Sequence, residues 1–158
     1  MYRTGIGYDS HRFAAGRPLV LGGVTIADGG GLDGHSDADA VLHAITDAVL
    51  GAIAAGDIGE HFPPTDNKWR DAPSSLFLQH AVKLAKEKGY AIGNCDVTVL
   101  AEAPSLGPHK QAMRESIAKL LAVDLGAVSV KAKTNEKMGF VGRREGIAAI
   151  AAVTVMPA

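Results

Sequence analysis

The segment that most limits the fold of this chain is Ile147 to Met156, which has no charged residue and is apolar on both faces when extended. A strand with one wet face alternates apolar and polar residues, so a run that does not alternate is expected as a central or interface strand. The wider stretch from Gly146 to Ala158 is shorter than the roughly 20 residues a bilayer-spanning helix needs. Two other segments have one apolar face. Asn94 to Glu102 alternates Cys95, Val97, Val99 and Ala101 against Asp96, Thr98, Leu100 and Glu102, and Val128 to Lys133 alternates likewise. Near the start, Arg3 to Tyr8 and Pro18 to Ile26 read as extended pieces around a polar loop, DSHRFAAG, which places Asp9 and His11 where a strand ends.

Helical periodicity appears in three places. Ser36 to Ala55 is the longest, capped by Ser36 or Asp37 and stopped by Gly56. Ser74 to Lys88 ends at Gly89, and Pro108 to Ala122 has proline in its first turn. Gly29, Gly30 and Gly31 mark a turn. The stretch GDIGEHFPPTDNKWRDAP reads as a long loop, too polar for a strand and too interrupted by proline for a helix. The order of elements predicts an α+β fold: one domain over residues 1–158, a mixed β-sheet, and helices packed on one face. At 158 residues, one core is expected.

Composition narrows the function. With 16 basic and 17 acidic residues the formal charge is -1, so no broad electrostatic footprint for nucleic acid or an anionic membrane is present. Cys95 is the only cysteine, which excludes an intrachain disulfide framework and fits a reducing compartment. No basic-then-apolar secretory pattern opens the sequence, and a cytoplasmic protein is expected.

The residues with chemistry form a divided set. Advancing 100° per residue, Val41, Leu42, Ile45, Ala48, Val49, Ala52 and Ile53 make one apolar arc. His43 lies opposite, on a stripe with Ser36, Asp39, Thr46 and Asp47, which is either a solvated face or a site. Asp9 and His11, two apart in extended chain, point to the same side. They are a turn aspartate with a surface histidine or, joined by His43, three ligands that leave a divalent ion an open position. KTNEKMGFVGRREG, from Lys133 to Gly146, is either a charged hairpin or a phosphate site. In the second case Glu136 holds Mg²⁺, Thr134 contacts phosphate, and Phe140 and Arg143 bracket a substrate. The chain has no Walker loop, GxGxxG or serine elbow. His61, His80 and His109 show no partner pattern.

GYDSHRF at Gly7 to Phe13, DGHSDADAVLHAITDAVLGA at Asp33 to Ala52, GDIGEHFPPTD at Gly56 to Asp66 and AKTNEKMGFVGRREGIA at Ala132 to Ala148 resemble, in order and spacing, the 2-C-methyl-D-erythritol 2,4-cyclodiphosphate synthase family. The match runs over nearly the whole chain. The resemblance implies a zinc-type ion on Asp9, His11 and His43, and a second ion, Mg²⁺ or Mn²⁺, on Glu136. It implies that His35 and Ser36 contact the substrate's 2-phosphate, with Thr134 at the α-phosphate, and that His35 and Thr134 stabilise the transition state. Asp9, Ser10 and His11, together with Asp57, Ile58, Gly59, Phe62, Pro63, Pro64, Thr65 and Asp66, match the methylerythritol side. Ala101, Glu102, Ala103, Pro104, Ser105, Leu106 and Gly107, with Lys133, Thr134 and Asn135, match a cytidine site that in this family crosses a subunit boundary of a homotrimer. The family often has lysine where this chain has Ser105, and Lys133 offers a replacement charge.

The implied reaction is attack of a substrate's 2-phosphate on the β-phosphorus of its own cytidine diphosphate, releasing CMP, with no protein nucleophile. Two other readings remain open on the residues: a metal-dependent phosphohydrolase, and an oligomeric binding module with a structural metal.

Overall fold

The computed structural model describes residues 1–27 and 30–158; Gly29, read as part of a glycine turn, lies outside them. Strands are β1 (Arg3–Ala14), β2 (Leu19–Leu21), β3 (Val24–Ala27), β4 (Gly31–Leu32), β5 (Tyr90–Leu100), β6 (Val128–Lys133) and β7 (Gly146–Pro157). Helices are α1 (Ala40–Ala52), α2 (Ile58–His61), α3 (Ser75–Glu87), α4 (Lys110–Leu121) and α5 (Gly139–Gly142). Among the described residues, a five-stranded sheet has the order β4-β1-β7-β5-β6, and β2 and β3 form a hairpin. β7 is antiparallel to β1 and β5, and β6 runs parallel to β5. This is a mixed sheet in an α+β domain, as expected.

β7 is central because both of its neighbours need its backbone and one of its faces supplies the core. Ile147, Ala149, Ala151, Val153 and Val155 are buried, beside Cys95, Val97 and Val99 of β5. The helices cover this face. The opposite face leaves Ile6 73%, Tyr8 53%, Ile150 43% and Met156 37% exposed, so only one of the two apolar faces read in the sequence is covered within a chain.

α1 sits unusually close to β1. A Cβ on Gly5 would lie 1.9 Å from the Ala48 carbonyl oxygen, and one on Gly7 would lie 1.8 Å from that of Ala44. Glycine on the strand facing alanine one helical turn apart thus lets backbone meet backbone. The helix is buried nearly all round, including Ala44, Thr46 and Leu50, which the apolar arc omitted. Its polar face reduces to His43 and Asp47.

Several boundaries differ from the sequence reading. β1 continues through Asp9 and His11 to Ala14, since its pairing with β7 extends to Arg12 opposite Gly146. The piece from Pro18 to Ile26 turns back on itself at Gly22 and Gly23, both with positive φ. Asp39, rather than Ser36 or Asp37, caps α1: its carboxylate accepts from the Leu42 amide at 3.0 Å. It also accepts from Gly22 and Gly23 at 2.9 and 2.7 Å, so one buried side chain joins the hairpin to the helix. α1 ends at Ala52, before Gly56, because Ala54 has positive φ and turns the chain away; the Ile53 amide, at the cap, still reaches Val49. β5 starts at Tyr90 rather than Asn94, its pairing continuing past an irregularity between Ile92 and Asn94. The long loop contains α2 and a short turn at Asn67–Trp69, started by Asp57 and Asp66 whose side chains cap the amides of Glu60 and Lys68. The Lys133 to Gly146 segment is a crossover rather than a hairpin, because β6 pairs with β5 and not with β7.

Candidate active site

Asp9 and His11 occupy the next two inward positions on β1 after Gly5 and Gly7, so they project into the layer where α1 lies. His43 precedes Ala44, the residue pressed against Gly7. The three side chains therefore converge. Asp9 Oδ2 lies 2.8 Å from His11 Nε2 and 3.1 Å from His43 Nδ1, and the two ring nitrogens are 3.3 Å apart. One ligand atom from each residue lies within 4.8 Å of the others. The pairing read from sequence spacing is present, and it is partly buried.

The remote nitrogens of both rings are occupied. His11 Nδ1 donates to the Asp33 carbonyl at 2.7 Å, and a carbonyl only accepts, so Nε2 is the nitrogen left to serve the cluster: it donates to Asp9 when the ring is charged and presents a lone pair when the ring is neutral. His43 Nε2 meets Ser74 Oγ at 2.7 Å and Ser36 Oγ at 3.2 Å. Burial alone would raise the Asp9 carboxyl, but hydrogen bonds from His11 and His43 outweigh it and hold the group below its usual value. Burial opposes charge on His11 too, yet the hydrogen bond to Asp9 leaves this imidazole above its ordinary value. One carboxylate and two imidazoles with fixed outer partners fit a borderline cation such as Zn²⁺, and three protein ligands leave it an open position.

Ser36 borders this cluster, and His35 beside it lines a cavity of about 450 Å³ with Arg17, Pro64, Thr65 and Arg70. Arg17 holds the loop between them, donating to the Gly34 carbonyl at 2.8 Å and to that of Ser36. The Asp71 amide donates to the His35 carbonyl at 2.8 Å. Asp47 accepts from the Ile58 amide at 2.8 Å, anchoring Asp57, Ile58 and Gly59 to α1. Phe62 packs its ring 4.5 Å from Phe77 and 4.9 Å from Trp69, while Phe77 lies 5.9 Å from His43, so Phe62 is linked to the cluster through Phe77. His61 and His80 do pair, with ring nitrogens 3.4 Å apart. Pro63 is exposed, and Asp66 is spent on its turn.

Ala101, Glu102, Pro104, Ser105, Leu106, Lys133 and Thr134 line a second cavity of about 220 Å³. The Glu102 carboxylate accepts from the Asn135 and Lys137 amides at 3.1 and 3.3 Å, fixing the loop that carries Thr134 and Glu136. Glu136 and Lys137 have positive φ, and the Glu136 amide reaches Thr134 Oγ1 at 3.4 Å. Glu136 is exposed and lies outside the Asp9 cluster. Phe140 instead lines a cavity of about 520 Å³ with Ser10 and His11, and Arg143 is paired with Glu145 at 2.9 Å. Ser10 is exposed, pointing to the sheet face opposite Asp9.

Sequence reasoning missed Arg17, Asp37 and Ser74 as parts of this site. Asp37 and Ser74 were legible only as helix-start residues; their contact joins segments far apart in the chain.

The YgbB family profile matches residues 2–156. The chain belongs to the YgbB family. A 2-C-methyl-D-erythritol 2,4-cyclodiphosphate synthase of Xanthomonas oryzae is 58% identical over 96% of this chain and 93% of its own length. A bifunctional enzyme IspD/IspF of Novosphingobium aromaticivorans is 58% identical over 98% of the chain, which spans only 40% of that relative's length. Among solved structures, a CDP complex of IspF from Plasmodium falciparum has a TM-score of 0.86 and 35% identity, over 99% of this chain and 96% of that one. The synthase resemblance read in the motifs thus holds across this YgbB chain. Among the described residues, no helix is long and apolar enough to cross a membrane.

Proposed function

We propose that this chain is a phosphorus-oxygen lyase that converts 4-diphosphocytidyl-2-C-methyl-D-erythritol 2-phosphate into 2-C-methyl-D-erythritol 2,4-cyclodiphosphate and CMP. It serves non-mevalonate isoprenoid precursor synthesis in the cytoplasm as a homotrimer with sites at subunit interfaces. The observation that carries this reading is the convergence of Asp9, His11 and His43 beside Ser36, with both imidazoles held from behind.

Asp9, His11 and His43 hold Zn²⁺, and Glu136 holds Mg²⁺ or Mn²⁺. When bound, these cations supply Lewis-acid stabilisation and a template for phosphate oxygens. An oxygen of the 2-phosphate attacks the β-phosphorus, the bond from that phosphorus to the bridging oxygen breaks, and CMP leaves with that oxygen. The chain's part is to orient phosphates that repel one another. Ser36 and His35 bind the 2-phosphate, and Thr134 donates to the α-phosphate as charge shifts toward it. Asp57 to Gly59, Phe62 to Asp66, Phe140 and Arg143 enclose the methylerythritol part. Ala101 to Gly107 and Lys133 to Asn135 receive the cytidine.

The test is to incubate the chain, with Zn²⁺ and Mg²⁺, with the cytidylylated methylerythritol phosphate and identify both products. CMP with the cyclic diphosphate is expected. A linear phosphate would overturn cyclisation in favour of hydrolysis, and unchanged substrate would leave only a binding role.

A further inference from the structure

Ser74 lies between a carboxylate and a metal-type ligand. Its side chain is fully buried, its amide donates to Asp37 Oδ2 at 3.1 Å, and its hydroxyl is hydrogen-bonded to Asp37 Oδ1. Asp37 Oδ1 also accepts from the Asp39 amide at 3.1 Å. A carboxylate accepts and does not donate, and a serine hydroxyl has one proton. That proton is therefore directed to Asp37, and only lone pairs of Ser74 Oγ remain for His43 Nε2, 2.7 Å away. The ring must then carry a proton on Nε2, so that in the neutral imidazole, the form that ligates a cation, the lone pair is on Nδ1, the nitrogen that faces Asp9 and His11. Ser36 is the weaker partner for Nε2: it lies farther away, and its oxygen also takes the Ala38 amide at 3.3 Å.

We infer that Ser74 and Asp37 are positioning residues which fix the tautomer and orientation of His43 for cation binding. Both serines near His43 are buried, but Ser74 is the one tied to a carboxylate that fixes which way its hydroxyl points. The same logic applies to His11, whose outer partner is a backbone carbonyl that no substitution removes. Ser74 is thus the closer of the two side-chain partners of His43 Nε2, and the one to mutate. This inference rests on reading Asp9, His11 and His43 as a metal site.

The experiment titrates the full-length chain and its Ser74→Ala variant with Zn²⁺ against a chromophoric chelator. It also follows apo-protein unfolding and the imidazole N–H signals of the Zn²⁺-loaded chains by NMR. Removal of an outer partner typically weakens metal binding 10- to 100-fold, so a loss of at least about tenfold is expected. The unfolding transition of the apo variant should stay cooperative, and its His43 Nε2 proton should exchange faster with solvent. Wild-type affinity in Ser74→Ala overturns the inference. If the variant does not fold, the Zn²⁺-loaded parent decides: an exchange-protected proton on His43 Nε2 supports the inference, and a rapidly exchanging proton, or Zn²⁺ on Nε2, overturns it. A parent chain that fails to bind Zn²⁺ sinks the metal reading itself, a separate outcome.

Discussion

Asp39 shows how one buried acid can serve two elements and pay in pH sensitivity. Desolvation drives its carboxyl up, and the Leu42, Gly23 and Gly22 amides only partly offset this, leaving it at about 6 against an ordinary 3.8. A folded-state value above the unfolded one means that the native chain keeps a proton the unfolded chain has released. Stability should therefore fall as pH rises from about 4 to about 6, by a total of about 3 kcal/mol, and stay level above that. Denaturant unfolding of wild type and Asp39→Asn across this range checks it: the variant lacks this slope, and parallel curves would refute the assignment. In the sequence, Asp39 was only a member of His43's stripe, because periodicity does not reveal where a helix starts. Asp9 and His11 were legible because strand alternation is a strong geometric rule, whereas Ser74 was not, since its partner Asp37 comes from another segment.

At the scale of elements, polarity misled where pairing prevailed. DSHRFAAG looks like a loop, yet most of it is strand, since β7 supplies partners through Arg12 and its polar inward side chains belong to the site. The helix that completes the cluster is placed by what β1 lacks. Gly7→Ala would put a Cβ 1.8 Å from the Ala44 carbonyl, a backbone atom that no rotamer change can move. α1 must shift, at a cost of about 1–3 kcal/mol or more for an overpacked contact. Because His43 adjoins Ala44, the same shift should weaken Zn²⁺ binding in the protein that remains folded. Gly126→Ala, where an added Cβ meets nothing within 4 Å, is the control. Thermal unfolding and Zn²⁺ titration of both variants should separate them, and equal behaviour would mean that α1 tolerates displacement.

At the scale of the whole molecule, the proposed metal-side and nucleotide-side residues must cooperate across the sheet. Ser10, Ala148, Leu100 and Lys133 lie in register across β1, β7, β5 and β6. Three strand spacings separate the ends of that row, about 14 Å. In one chain, Ser10, His11 and Phe140 border one cavity, and Ala101, Glu102 and Pro104 to Leu106 with Lys133 and Thr134 border another. The bare sheet face with Ile6, Tyr8, Ile150 and Met156 offers a surface for assembly, consistent with a β7 segment that is apolar on both sides. In the proposed trimer, each site takes its metal half from one subunit and its nucleotide half from the next. This makes a quantitative prediction for mixed subunits. His43→Ala disables the metal half, and Ser105→Trp, at an exposed position lining the nucleotide cavity, blocks the other. Each variant alone should release no CMP. Unfolded together in equal amounts and refolded, they should assemble at random, and a site is intact only when both halves come from the unaffected copies. That happens with a chance of one half for each side, so about a quarter of wild-type activity should return, provided the ring is cyclic and each site is shared. If each site were built within one chain, no mixed assembly would contain an intact site and CMP release would stay at zero. Sedimentation of the refolded mixture as trimers is the accompanying control, since zero activity in monomers would count against assembly itself.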